Sequence, residues 1–237
     1  MLNYIDPMVA NEAQHDVAAK TLLNGALLPA NQTTAKDTSD AIDNIVNDSN
    51  VGPYISKSLI QHLVTSNPSP AYVARVSAVF DNDGGGNRGN LRAVVRAILL
   101  DTEARGDAKT DPSYGRLRHP AQLILNLGRA LNARSRDLTG ESDGVLNGQA
   151  VSMGMDMFRP PSVFSYFSPF NGVPGGGGLR GPEFGLLSTA TALARANVIN
   201  TLVFSGVNVG TNAPNGTALE LSALQALAGN PDRKSVV

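Results

Sequence analysis

Cysteine and tryptophan are both absent from the 237 residues, and charged side chains make up only 16% of the chain. Without cysteine there is no disulfide framework, no thiolate metal site and no thiol nucleophile, which removes several enzyme classes at once. The absence fits either an oxidising or a reducing compartment and does not separate them. Neither sign of charge is in excess: 19 Lys+Arg stand against 20 Asp+Glu, for a net charge of −1. No basic surplus is available to neutralise a phosphate backbone, so nucleic acid is not an expected partner. Long apolar runs are missing as well, none approaching the ~18 residues that cross a bilayer, and Met1-Leu2-Asn3-Tyr4-Ile5-Asp6-Pro7 has neither a cationic region nor an apolar signal core. Membrane insertion is therefore not expected. What remains is ordinary globular material, 42% hydrophobic, with 24 glycines and 14 prolines that predict long and numerous loops.

The first local signal is Leu22-Leu23-Asn24-Gly25-Ala26-Leu27-Leu28, in which Asn-Gly can supply the two positive φ angles of a hairpin turn between apolar flanks. A hairpin is expected over 14–30, closed by Pro29. Helical spacing of Ile42, Ile45 and Val46 after Asp37 and Asp40 predicts a helix over 38–47, the carboxylates favouring its dipole. Ile55, Leu59, Ile60, Leu63 and Val64 form one stripe ended by Asn67-Pro68, which predicts a helix over 54–65. Ser69-Pro70 supplies a cap and a first-turn proline for a helix over 71–80, and the short connection makes these two neighbours in an αα-hairpin. Leu91, Val94, Val95, Ile98 and Leu99 follow the i, i+3, i+4, i+7, i+8 pattern and predict a helix over 91–100. His119-Pro120 opens another over 120–131, Pro182-Glu183 a long Ala-rich one over 184–199, and a last helix is expected over 217–228.

Between them, residues 132–182 carry too much glycine and proline for long regular elements. The large apolar side chains there, Met153, Met155, Met157, Phe158, Val163, Phe164, Tyr166, Phe167 and Phe170, predict a long loop packed down over the helices. The glycines from Gly175 to Gly178 predict an unanchored, flexible excursion. The expected fold is mainly α: six or seven helices in an irregular orthogonal array, with a small N-terminal β-hairpin and a long packed loop. Residues 1–205 are expected to form a single helical domain, and 206–237 a C-terminal loop and short helix.

Several motifs that resemble functional ones lack the residues the chemistry requires. Asp81-Asn82-Asp83-Gly84-Gly85-Gly86 begins like a calcium loop, but its fifth position is Gly85 and its twelfth is Arg92 in place of a bidentate Glu. Gly175 to Gly178 lacks the Gly-Lys-Ser/Thr that grips phosphate, and no Gly-x-Ser-x-Gly elbow occurs. His62 and His119 have no His or acidic partner at helix-ligand spacing, and His119 stands where a cap belongs. No metal and no cofactor is expected. Two constellations stay open. His15, Asp16 and Lys20 stand ahead of the Asn-Gly turn, where a His beside a carboxylate could act as a general base or as half of a metal site, or where the pair could simply hydrogen-bond nearby backbone. Arg159, before Pro160-Pro161, could project toward an anion or tie the loop to carbonyls or a buried carboxylate.

A set of strings adds a resemblance. Leu59-Ile60-Gln61-His62-Leu63-Val64-Thr65-Ser66-Asn67-Pro68-Ser69-Pro70, Arg75-Val76-Ser77-Ala78-Val79-Phe80, Arg88-Gly89-Asn90-Leu91, Ile98-Leu99-Leu100-Asp101, Phe158-Arg159-Pro160-Pro161-Ser162-Val163-Phe164 and Gly181-Pro182-Glu183-Phe184 follow one another in an order that resembles the C-terminal half of the bacterial domain-of-unknown-function 1800 family. The resemblance spans most of residues 1–205 and takes in the His15-Asp16 pair. It implies a helix-rich protein, a fragment of a longer parent, and export to the periplasm or beyond. It implies no catalytic residue, because the family has no assigned activity. The expected function is a helical scaffold or interaction module acting with an envelope partner or with the missing N-terminal half. The alternative is part of an envelope-directed hydrolase, with His15, Asp16, Lys20 and Arg159 as candidate catalytic residues and a site completed by that half.

Overall fold

The computed structural model describes residues 5–106, 110–135, 146–163, 165–209 and 213–228. The chain divides into two compact units, Met1–Tyr114 and Gly115–Val237. Nine α-helices lie among the described residues, and the fold is mainly α.

In the first unit, β1 (Lys20–Thr21) pairs antiparallel with β2 (Leu27–Leu28), in register Lys20 to Leu28. Asn24 and Gly25 both take positive φ, 59° and 73°, as the turn between them requires. The helices are α1 (Thr34–Val46), α2 (Val51–Leu63), α3 (Pro70–Asp81), α4 (Leu91–Leu100) and the single turn α5 (Thr102–Arg105). Capping sets most of their starts: Thr33, Ser69, Asn90 and Asp101 each accept from a backbone N–H in the first turn of the helix that follows. The core is Ile60, Tyr72, Val76, Phe80, Val94 and Ile98, where α2, α3 and α4 pack on one another. Tyr72 is fully buried and donates its hydroxyl to the Ile98 carbonyl at 2.6 Å, one of the four carbonyls that the end of α4 leaves without a helical partner.

Helix α1 starts four residues ahead of the expected position, because Thr33 caps it and the Glu12 carboxylate also takes the Thr34 N–H. Its apolar residues do not form the buried stripe that their spacing suggested. Ile42 and Ile45 are about half exposed, and the buried residue of the helix is Asp37.

The second unit contains α6 (Pro120–Ala130), β3 (Arg134–Ser135), α7 (Leu146–Ser152), α8 (Thr189–Phe204), β4 (Val207–Val209), β5 (Ala213–Ala218) and α9 (Ser222–Ala228). Its core joins Ile124, Ala150, Met153, Val198, Leu202 and Val207. Three strands form a sheet in the order β3-β5-β4, antiparallel throughout. The sheet was not legible in the sequence: β5 carries Pro214 and Asn215-Gly216, which read as turn residues, and it occupies the start of the helix expected over 217–228. The helix expected from 184 begins at Thr189. Pro182–Leu186 instead makes a 3-10 turn, and Ser188 with Thr191 forms a reciprocal capping box that opens α8.

The loop between α7 and α8 also departs from expectation. Met153 and Met155 are buried, yet Phe158, Val163 and Phe170 are 91%, 94% and 74% exposed. Phe164 lies outside the described residues. Polar bonds do much of the holding that aromatic burial was expected to do: the Tyr166 hydroxyl donates to the Asp156 carbonyl and accepts from the Arg159 N–H. The glycine run is also held. Val173 N–H donates to Leu179 O at 2.9 Å and Gly181 N–H to Asn171 O at 2.9 Å, closing the segment on itself. No helix among the described residues is long and apolar enough to cross a membrane.

Candidate functional site

Of the residues proposed from sequence, His15 and Lys20 meet, and they meet on a residue not proposed. Asp37, in the first turn of α1, receives the Lys20 ammonium on Oδ2 at 2.7 Å and has His15 Nε2 3.0 Å from the same oxygen. The His15 and Asp37 side chains are 11% and 9% exposed. The His15 approach has ion-pair distance without the alignment of a hydrogen bond, and Asp37 Oδ1 is buried with no partner. The Lys20 hydrogen bond holds the Asp37 carboxyl below the ordinary aspartate range against the opposing effect of burial, and the charges of Lys20 and His15 pull the same way.

An ammonium has three donors, and Lys20 spends all three: on Asp37 Oδ2, on the Asp16 carbonyl and on the Ala18 carbonyl at 3.1 Å. An amine so engaged cannot serve as a base or nucleophile without dismantling the turn around it. The Asp16 carboxylate accepts the Ala18 N–H at 2.9 Å, a local turn of the kind aspartate favours. With Glu12 on Thr34, the arrangement straps residues 12–20 to the first turn of α1. Asp37 was missed because its partners stand 17 and 22 positions earlier, and alone it reads as a dipole-favouring acid.

The family strings have similarly local duties in this unit. Arg75 binds Asp101, and Arg88 reaches Asp81 and the Val46 and Asp48 carbonyls while lying 5.1 Å over the Phe80 ring. In the calcium-like loop, Asp83 accepts from Asn90 Nδ2 at 2.7 Å and from the Gly85 and Asn87 N–H groups, which hold its carboxyl far below the usual range.

Arg159 lies in the second unit, its guanidinium 83% exposed and 3.8 Å from Asp156. The segment that follows it carries a different kind of surface, a groove of about 390 Å³ lined by Pro161, Tyr166, Phe167, Pro169, Phe170 and three serines. Phe158 and Ser165 hold positive φ, 64° and 70°. An exposed phenylalanine in that region is strained, and strain of this kind concentrates where a segment has work beyond folding. Deeper in this unit, Arg116 pairs with Glu183 at 2.6 Å with both side chains almost wholly buried, an ion pair that no local sequence signal announced.

No curated protein and no solved structure matches the chain. The family described as "Protein of unknown function (DUF1800)" matches residues 5–233, an extent reaching beyond the 1–205 spanned by the motifs, and the chain belongs to that family.

Proposed function

We propose that the chain is a helical interaction module of an exported bacterial protein, and that it docks an envelope protein partner through the loop from Phe158 to Phe170. The observation that carries this reading is the exposure of Phe158, Val163 and Phe170 on a segment whose backbone is pinned by hydrogen bonds. Three large apolar side chains held in water by a fixed backbone cost solvation free energy that burial against a partner recovers. The hydrolase reading has less support. Lys20 is saturated with acceptors, and the Asp16 carboxylate is taken up by the Ala18 N–H.

The test is site-specific photo-crosslinking in the native cell, with the reactive residue at position 163 or 170 and, as a control, at Leu193, which is exposed on α8. A discrete adduct from 163 and 170 that the control lacks supports the reading. Identical patterns from all three positions overturn it.

A further inference from the structure

The loop from Phe158 to Phe170 joins an apolar groove to a cation and holds no acidic residue. The groove has a volume of about 390 Å³, inside the range of about 300–1,000 Å³ common for pockets that seat a ligand, and its walls are mostly rings: Pro161, Tyr166, Phe167, Pro169 and Phe170. The Tyr166 hydroxyl is engaged on both sides, donating to the Asp156 carbonyl and accepting from the Arg159 N–H at 3.1 Å. Ser168 Oγ accepts the Phe170 N–H at 3.2 Å. Rings are therefore what the groove chiefly offers an incoming group.

Arg159 supplies the charge. Its N–H bond to Tyr166 ties its backbone to a wall of the groove, Pro160 restricts that backbone further, and its guanidinium is 83% exposed. Asp156 stands 3.8 Å from the guanidinium, beyond hydrogen-bond reach, and the other Asp156 oxygen takes the Asn147 amide at 2.9 Å. Arg180 donates to the Phe170 carbonyl and lies 5.9 Å from the centre of the Phe170 ring. From Met157 to Pro182 the sequence carries these two arginines and no aspartate or glutamate. A surface that is apolar and positive is complementary to a partner that is apolar and negative.

We propose that the loop takes an extended peptide segment of its partner in which carboxylates alternate with large apolar side chains, an apolar side chain seated in the groove and a carboxylate paired with Arg159. This inference rests on the docking role proposed for the loop and adds the chemistry of what docks. A glycan fits less well: its hydroxyls call for acceptors, and the groove is lined by no side-chain carboxylate or amide, while its tyrosine hydroxyl is already engaged.

The experiment uses the full chain and fluorescence anisotropy. The probe is a short labelled peptide of alternating Leu and Glu; one control peptide has Lys in place of every Glu, the other Ser in place of every Leu. The Leu–Glu peptide should bind saturably and more tightly than either control, and added salt should weaken it. Arg159→Glu should weaken binding by about threefold or more, the scale of one exposed ion pair, while Arg159→Lys retains it. Phe170→Ser should weaken binding as well. Both side chains are mostly exposed, so these variants should melt with the wild type, which separates lost binding from lost folding. Equal binding of the Glu and Lys peptides, binding that Arg159→Glu leaves unchanged, or no binding at all overturns the inference. If discrete adducts form from positions 163 and 170 in the cell while the Leu–Glu peptide does not bind, the loop docks a partner of other chemistry and only this inference falls. If those adducts are absent, docking itself falls with it.

Discussion

Arg75 and Asp101, 26 residues apart, are joined by two parallel bonds of 2.8 and 2.7 Å that tie α3 to the start of α5. The same Asp101 carboxylate caps α5 by accepting the Glu103 N–H at 2.8 Å. Asp101→Ala therefore removes a cap, at about 1 kcal/mol, together with the anchor of Arg75, whereas Arg75→Ala leaves the cap in place. In urea unfolding, Asp101→Ala should lower the midpoint more than Arg75→Ala does. The reverse order would mean that the arginine packs rather than pairs.

Acid should loosen the strap on α1. The Asp37 carboxyl is held below the ordinary value of 3.8, first by the Lys20 hydrogen bond. A carboxyl depressed in the folded state contributes stability that is fully present above its unfolded value and is lost as pH falls through the folded one. The contribution of Asp37 should thus be intact at neutral pH and decline below about pH 4. Asp37→Asn should lower the urea midpoint at pH 7 and show a shallower decline than the wild type below pH 4. Parallel profiles for the two proteins would show that the cluster adds nothing to stability.

The Tyr72 hydroxyl is the only part of that side chain that Phe cannot replace. Tyr72→Phe leaves the buried Ile98 carbonyl without its 2.6 Å donor, and an unsatisfied buried acceptor costs about 1–3 kcal/mol. Calorimetry should register a drop of that order with the fold retained.

Two glycines should respond in opposite directions. Gly148 lies inside α7 with open space where a Cβ would stand, so Gly148→Ala should stabilise by roughly 0.5–1 kcal/mol. Gly216 lies on β5 against the Val207 carbonyl of β4, and a Cβ there would overlap that oxygen. Gly216→Ala should open the β4–β5 pairing, visible as loss of protection in hydrogen exchange. Equal effects of the two changes would contradict the strand register.

Within the α7–α8 loop, side chains of similar size should differ sharply. Met153 is fully buried, and Met153→Ala should cost about 2–5 kcal/mol. Phe158 is exposed at φ 64°, so Phe158→Gly should leave the melting temperature unchanged or raised, by relieving the left-handed strain. A large loss on Phe158→Gly would place that ring in a core and remove the basis for a docking surface.

Local signals carried most of the helical framework. Ser69-Pro70 and His119-Pro120 marked their helix starts because a cap and its N–H partner lie within three residues of each other, a distance any reader of the chain can see. Asn24-Gly25 marked its turn for the same reason, since the positive φ angles belong to those two residues alone. The start of α8 was misplaced because Pro182-Glu183 opens a 3-10 turn, and the cap that starts the helix is Ser188, six residues on.

The candidate sites belong to the other class. His15 and Lys20 were visible as titratable residues near a turn, but their shared partner Asp37 became evident only when the hairpin lay against α1. Arg116 and Glu183 are 67 positions apart, so their pairing could not be inferred from spacing. Exposure of Phe158 and Phe170 was decided in the same way: apolar composition measures how much a side chain gains from burial, whereas whether anything is present to bury it depends on what the rest of the chain brings alongside. The sequence by itself thus determined α1 to α4, α6 and most of α8, through periodicity and caps acting over a few residues, but not α5 or α7. Only the tertiary structure decided the ion pairs, the three-stranded sheet and the exposed loop, because each depends on groups that the chain separates and folding brings together.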